Sequence, residues 1–136
     1  MTSRVLLLSA PPDDVNTVHE FLDALWAEAP DVSPQDRMAF ETALIELASN
    51  VLQHTTAPDG VTCTLTVALG EDGEIRAVLA DTGEPGGVRL VTQEMPEPMA
   101  ESGRGLALIQ LLVDQLDYAL DDGVNTWTIR KRRSPR

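Results

Sequence analysis

The 136-residue chain has a single cysteine, Cys63, which excludes an internal disulfide framework and any cysteine-based metal site. No apolar run approaches the roughly 18 residues that a membrane-crossing helix needs. The run Val5 to Leu8 is too short for that purpose, and the N-terminus has neither the charged lead-in nor the cleavage site of a signal peptide. A cytoplasmic protein with no membrane partner is the expectation. Basic residues are scarce: 10 Lys and Arg stand against 22 Asp and Glu, for a net charge of −12. Half of those cations, Arg130, Lys131, Arg132, Arg133 and Arg136, crowd into the last few positions. The body of the chain is therefore strongly acidic, which argues against a nucleic-acid partner. The basic segment 132–136 reads as a solubilising tail. No Gly-x-x-x-x-Gly-Lys-Ser/Thr loop occurs, so a Walker-type nucleotide site is excluded. Internal repeats and low-complexity segments are missing too.

What remains has the size and apolar content of one globular domain, placed at 1–131. Arg4 to Ala10 (RVLLLSA), halted by Pro11-Pro12, reads as a strand. Val15, Val18, Phe21, Leu22, Leu25, Trp26 and Ala29 have helical spacing, with Asp13 or Asp14 as N-cap and a stop near Pro30. His19 on that helix reads as a solvent-side residue. Ser33-Pro34 opens a second helix, Ser at the cap and Pro in the first turn, with Asp36 suited to the positive end of the helix dipole. Phe40, Ala43, Leu44, Leu47, Ala48 and Val51 give this helix one apolar face. Val61 to Leu69 alternates Thr with apolar residues, a half-buried strand, and Gly70-Glu71-Asp72-Gly73 turns it back into a strand ending at Ala80. Glu84 to Ser102 has no period and holds three prolines, a length of loop usually kept for lids or disorder. The run LALIQLLVDQLDY, 106 to 118, reads as a largely buried helix. Asp121-Asp122-Gly123 is a turn, and Thr126 to Ile129 a last strand.

Three motifs on these elements carry chemistry. Glu46, Asn50 and His54 step along the second helix at i, i+4, i+8, drifting across the margin of its apolar stripe. The Glu46/Asn50 pair suits either a solvated helix edge or an oxygen ligand set for Mg²⁺, which takes one or two protein oxygens and completes its shell with water and phosphate. The strand ending at Ala80 delivers Asp81-Thr82-Gly83 at its C-terminal end, either an ordinary turn or the floor of a pocket. Gly103-Arg104-Gly105 leads into the last helix. Glycines there let backbone N–H groups approach an anion, and Arg104 adds a forked donor for phosphate oxygens, although glycine also serves plain loops.

In this order (helical Glu-x-x-x-Asn, strand-Asp-x-Gly, long loop, Gly-Arg-Gly-Leu before a helix) the chain resembles the GHKL (histidine kinase-like) ATPases. Within them it resembles most the anti-sigma factor serine/threonine kinases, through ELASNVLQH and SGRGLALIQLLVDQLDY. The resemblance implies a Bergerat-type α+β fold, a two-layer sandwich with a mixed, mainly antiparallel sheet covered on one face by about three helices. It implies ATP and Mg²⁺ as cofactors and a lid at about 84–102. It also carries roles to single residues. Glu46 matches the general base, and Asn50 the Mg²⁺ ligand. Asp81 matches the aspartate that reads the adenine amino group, and Gly83 the glycine that gives the base room. Gly103, Arg104 and Gly105 match the phosphate loop, and Thr126 a threonine near the base; His54 receives no catalytic duty. The implied activity is phosphorylation of a STAS-type anti-sigma antagonist by a sigma-factor-binding regulator, and the resemblance extends to a homodimer. Where the family writes Asp-x-Gly-x-Gly, this chain has Pro85 in place of the second glycine. Proline fixes φ and removes an N–H, which stiffens or displaces the lid hinge. A degenerate binding module and a detached ATP-binding domain of a histidine-kinase system are the alternatives.

Overall fold

The computed structural model describes residues 2–10, 13–54, 61–70, 73–81 and 101–133. In chain order the elements are β1 (Thr2–Ala10), α1 (Val15–Ala27), α2 (Pro34–His54), β2 (Val61–Leu69), β3 (Glu74–Asp81), α3 (Glu101–Leu112), β4 (Gln115–Asp121) and β5 (Val124–Arg132). Both early helices start where local chemistry says they must. Asp14 holds an extended backbone and its side chain accepts from the Asn16 N–H at 2.9 Å. The Ser33 hydroxyl accepts from the Asp36 N–H at 3.1 Å, ahead of Pro34 in the first turn.

The strands form one five-stranded sheet in the order β1-β2-β3-β5-β4. The expected mixed, mainly antiparallel sheet is antiparallel at every described pairing. The three described helices lie on one face of it, giving the two-layer α+β sandwich. The core fills the space between: Val18, Leu22, Leu25 and Trp26 from α1, the Phe40 to Val51 stripe from α2, Ile109 from α3, and Leu65, Val67, Ile75, Leu79, Trp127 and Ile129 from the sheet. Burying each such large side chain contributes about 1.5–3 kcal/mol relative to leaving it in water. The other sheet face is open, with Val5 and Leu7 64% and 65% exposed on the edge strand β1.

Helices α1 and α2 are tied by more than apolar area. Trp26 meets Phe40 edge to face, with ring centroids 6.3 Å apart. Glu41 accepts from the Trp26 indole N–H at 3.0 Å, and its other oxygen lies 3.0 Å from His19 Nδ1. His19, expected on the solvent side, is thus partly exposed but also bound across the helix pair. Arg37 closes the join by donating to the Val32 and Ala29 carbonyls.

Three expectations are corrected. The helix read as 106–118 runs instead over Glu101–Leu112, and its supposed second half is strand β4. Leu112, Val113 and Leu116 satisfy a helical period, but Leu116 and Tyr118 also alternate with Asp117 and Ala119, and the alternation prevails. A two-residue turn explains why: Asp121 pairs with Val124, and Asp122 and Gly123 between them both have positive φ, 52° and 76°. That is the geometry that matches strand twist in a hairpin and locks β4 onto β5. Arg132, assigned to the tail, is the last residue of β5, and the Arg133 N–H donates to the Gly73 carbonyl at 2.8 Å. Of the loop expected at 84–102, residues 101 and 102 open α3, and the rest lies outside the described residues. Residues 134–136 of the tail lie outside them as well. Among the described residues no helix is long and apolar enough to cross a membrane.

Candidate functional site

The end of the sheet where β3 finishes and β5 begins carries a row of polar groups on the helix-covered face. Cys63 on β2 pairs with Asp81 on β3, and Asp81 pairs with Asn125 on β5. All three are buried, at 1%, 3% and 2% exposure. Inward positions of β3 are Ile75, Ala77, Leu79 and Asp81, so the alternation that builds the core also places a carboxylate at its rim. The Asn125 amide donates to Asp81 Oδ1 at 3.0 Å, and the Tyr118 hydroxyl donates to Asn125 Oδ1 at 2.5 Å. Tyr118 is held in place by its ring, which packs on Trp127 with centroids 4.6 Å apart.

Burial and the Asp81 charge act together on the neighbouring acids. Burial first, and then Asp81, push the Cys63 thiol up to about 12. That makes it a neutral packing group at physiological pH and no nucleophile. The same two causes in the same order raise the Tyr118 hydroxyl above its ordinary range, which keeps it protonated and able to donate.

Asn50 sits on α2, 7% exposed, and its amide nitrogen is buried with no hydrogen-bond partner. A buried polar group left unpaired is costly, and one on a helix otherwise committed to the core calls for a chemical reason. Glu46, one turn earlier, is half-buried. Helix α2 packs on α3 and touches β3, so Asn50 belongs to the element that joins the other two site segments. Gly103, Arg104 and Gly105 fall at the N-terminal end of α3, inside the helix and not ahead of it. Gly83 lies outside the described residues. Thr126 does not join the group. It is one residue past Asn125, so its side chain points to the opposite face of the sheet, and Asn125 stands level with Asp81 in its place. Asn125 and Tyr118 were missed because only strand register reveals them. The cue in the sequence was the Asp-Gly hairpin turn, which fixes that register.

Magnesium and a nucleotide are the groups to test against these residues. Among the described residues no cluster of three His, Cys, Asp or Glu side chains is placed to hold a metal ion. The donor set instead fits a cation held through few protein oxygens, with phosphate and water supplying the rest. The unpaired Asn50 amide nitrogen fits that role: as it stands it offers an N–H to phosphate, and turned over it would place the carboxamide oxygen for a cation.

The histidine kinase-like ATPase domain family matches residues 8–131, and the chain belongs to that family. Solved structures share its fold. The crystal structure of the RsbU and RsbW domains of Rv1364c from Mycobacterium tuberculosis superposes with a TM-score of 0.73 at 24% identity, covering 100% of this chain and 34% of that one. This chain therefore spans about a third of that protein's length. A structure of the SiaB-SiaC complex from Pseudomonas aeruginosa gives 0.61 at 17% identity, covering 93% and 87% of the two chains. The histidine kinase domain of a blue-light activated kinase from Erythrobacter litoralis gives 0.52 at 15%, covering 73% and 45%. A search of curated proteins finds no match.

Proposed function

We propose that this protein binds ATP with Mg²⁺ and acts as an anti-sigma regulatory factor, transferring phosphate to a serine or threonine of a STAS-type antagonist protein. The observation that carries the reading is Asp81, a carboxylate buried at the end of β3 on the helix-covered face with Asn50 of α2 buried on the same side. That the superposed structures include an RsbW domain and a SiaB-SiaC complex supports a partner-switching role, since each of these structures contains a second protein or domain.

The roles are those that the resemblance to the family implies for these residues. When bound, Mg–ATP supplies the phosphoryl group. Asn50 would hold the cation, and Asp81 and Gly83 the base, with Asn125 beside Asp81 where Thr126 was expected. The N–H groups of Gly103 and Gly105 and the Arg104 guanidinium would face the phosphates, where donors at a helix N-terminus stabilise developing negative charge. Glu46 would accept the proton of the substrate hydroxyl. Little else is asked of the protein in phosphoryl transfer beyond positioning and charge neutralisation.

The test is a pair of measurements on one variant. Titration with a fluorescent ATP analogue in Mg²⁺ should give similar affinities for the unmodified protein and Glu46→Ala, while transfer to the antagonist protein vanishes in the variant. Equal loss of both removes Glu46 from the reaction. Nucleotide binding without transfer to any hydroxyl substrate would favour the binding module that Pro85 suggests, and acid-labile product would favour the histidine-kinase alternative.

A further inference from the structure

Arg4 pairs with Glu28, and Arg37 donates to the Val32 and Ala29 carbonyls, so both of these guanidinium groups have acceptors. Arg130 differs. Its Nε is buried without a hydrogen-bond partner, and its cross-strand neighbours on the open face are Arg76 on β3 and Gln115 on β4. Two residues further along β5 on the same face, Arg132 stands opposite Glu74. Here the surface sinks into a pocket of about 390 Å³ lined by Glu74, Asp114, Gln115, Arg130 and Arg132. One wall of it is fixed by main-chain bonds: the Asp114 N–H donates to the Arg130 carbonyl at 2.9 Å, and Asp114 Oδ2 accepts from the Arg132 N–H at 2.5 Å.

We infer that this pocket is an oxyanion site, taking a small ligand through a phosphate or carboxylate group received by the Arg130 guanidinium, with Arg76 and Arg132 supplying further positive charge. It is separate from the proposed nucleotide site and does not rest on that reading. Glu74 and Asp81 stand at opposite ends of β3, roughly 23 Å apart at strand rise, and the pocket opens on the face away from the helices.

Three observations point to an anion. A buried guanidinium N–H without an acceptor is costly, and its planar fork matches carboxylate and phosphate oxygens. Placing Arg76 opposite Arg130 destabilises the sheet while both stand alone, and an anion between them reverses the sign. The carboxylates that line the pocket do not take that place. Asp114 is bound to the Arg132 main chain, and Glu74 is not free. Against them Arg76, Arg130 and Arg132 leave a local excess of positive charge in a chain of net charge −12. Acids elsewhere in the chain oppose this little, because charges beyond about 10 Å are screened at 0.1 M salt. The volume exceeds what an oxyanion alone fills and lies in the range of small-molecule pockets, roughly 300–1,000 Å³, so the group is carried on a larger molecule.

The experiment titrates the nitrogen-15-labelled full chain, without nucleotide, with inorganic phosphate and separately with malonate, ionic strength being held constant with sodium chloride. The Asp114 and Arg132 backbone N–H signals report on the pocket. They should shift to saturation with phosphate, malonate or both, and the anion that saturates names the ligand group. Arg130→Gln should weaken this binding at least tenfold, the scale of a charge-assisted contact. Arg76→Glu should weaken it too, while raising the unfolding midpoint in the absence of anion, a combination that damage to the fold cannot produce. Arg104→Gln, at the proposed nucleotide site, should leave the titration unchanged. Shifts that saturate with neither anion, or a titration that Arg76→Glu leaves as it was, overturn the inference, and the nucleotide reading stands in either case.

Discussion

At the scale of single residues, the polar groups at the rim of the core set how the protein responds to pH. Cys63 has a folded pKa near 12 against an ordinary 9.0, raised by burial and by Asp81. An acid whose pKa is raised by folding adds stability that is whole below its unfolded value and disappears as pH climbs through the folded one. Stability should therefore decline between pH 9 and 12, by up to about 1.4 kcal/mol per pH unit for this group. Tyr118, also shifted upward, adds to the decline in the same direction. Replacing Cys63 with Ala should flatten the slope of urea midpoint against pH in this range, whatever it does to the absolute midpoint. A slope unaltered by the substitution would show that the thiol does not titrate as its setting requires. A second residue offers a cleaner magnitude. Ser33 caps α2 through one hydrogen bond to the Asp36 N–H. Ser33→Ala should cost about 1 kcal/mol in equilibrium unfolding, with no change in denaturant slope.

Among the elements, the sheet contains a contact that works against it. Arg76 on β3 and Arg130 on β5 are direct cross-strand partners on the open face, and the Arg130 Nε is buried with no hydrogen-bond partner. Like charges placed opposite one another destabilise a sheet, and opposite charges stabilise it by roughly 0.2–1 kcal/mol. Arg76→Glu should accordingly raise the unfolding midpoint, and Arg76→Lys should leave it where it is. The pairing was invisible in the sequence for the reason that β4 was. Register joins residues far apart in the chain, and periodicity within a single segment carries no trace of it. Elements whose signal is local were read correctly: the α2 stripe from Phe40 to Val51 is buried residue for residue, and Ser33 caps as its position suggests. At Leu112 to Leu116 helical and strand periods coincide, so periodicity alone extends the helix where the hairpin turn prevails in the fold. Thr126 lies one residue from the inward-facing Asn125, and a single step along a strand is enough to send a side chain to the other face.

For the whole molecule, one core cluster spans the three helices and the sheet, so the residues proposed to hold the nucleotide stand at the rim of a single cooperative unit. A ligand that binds only the folded state stabilises such a unit by mass action, about 2.7 kcal/mol at a hundred times its dissociation constant. The unliganded protein is left with the opposite situation at Asn50, a buried amide nitrogen with no hydrogen-bond partner. The sequence marked that position by its spacing from Glu46, but spacing could not say whether the side chain lay in water or in the core. Its burial points to a trade of stability for binding, of the kind expected where function demands a group that packing would reject. Replacing Asn50 with Leu, similar in size and free of polar atoms, should then act in opposite directions with and without ligand. Without nucleotide the thermal midpoint should rise, by the equivalent of about 1 kcal/mol, because the unsatisfied amide is gone. With saturating ATP the stabilisation that depends on added Mg²⁺ should disappear, while any part that persists in a chelator stays. A scan of both proteins under the four conditions, with and without ATP and with and without Mg²⁺, reads the two effects separately. A variant less stable than its parent in the absence of ligand would mean that the amide has a structural partner, and a Mg²⁺-dependent shift of undiminished size would mean that the cation is held elsewhere.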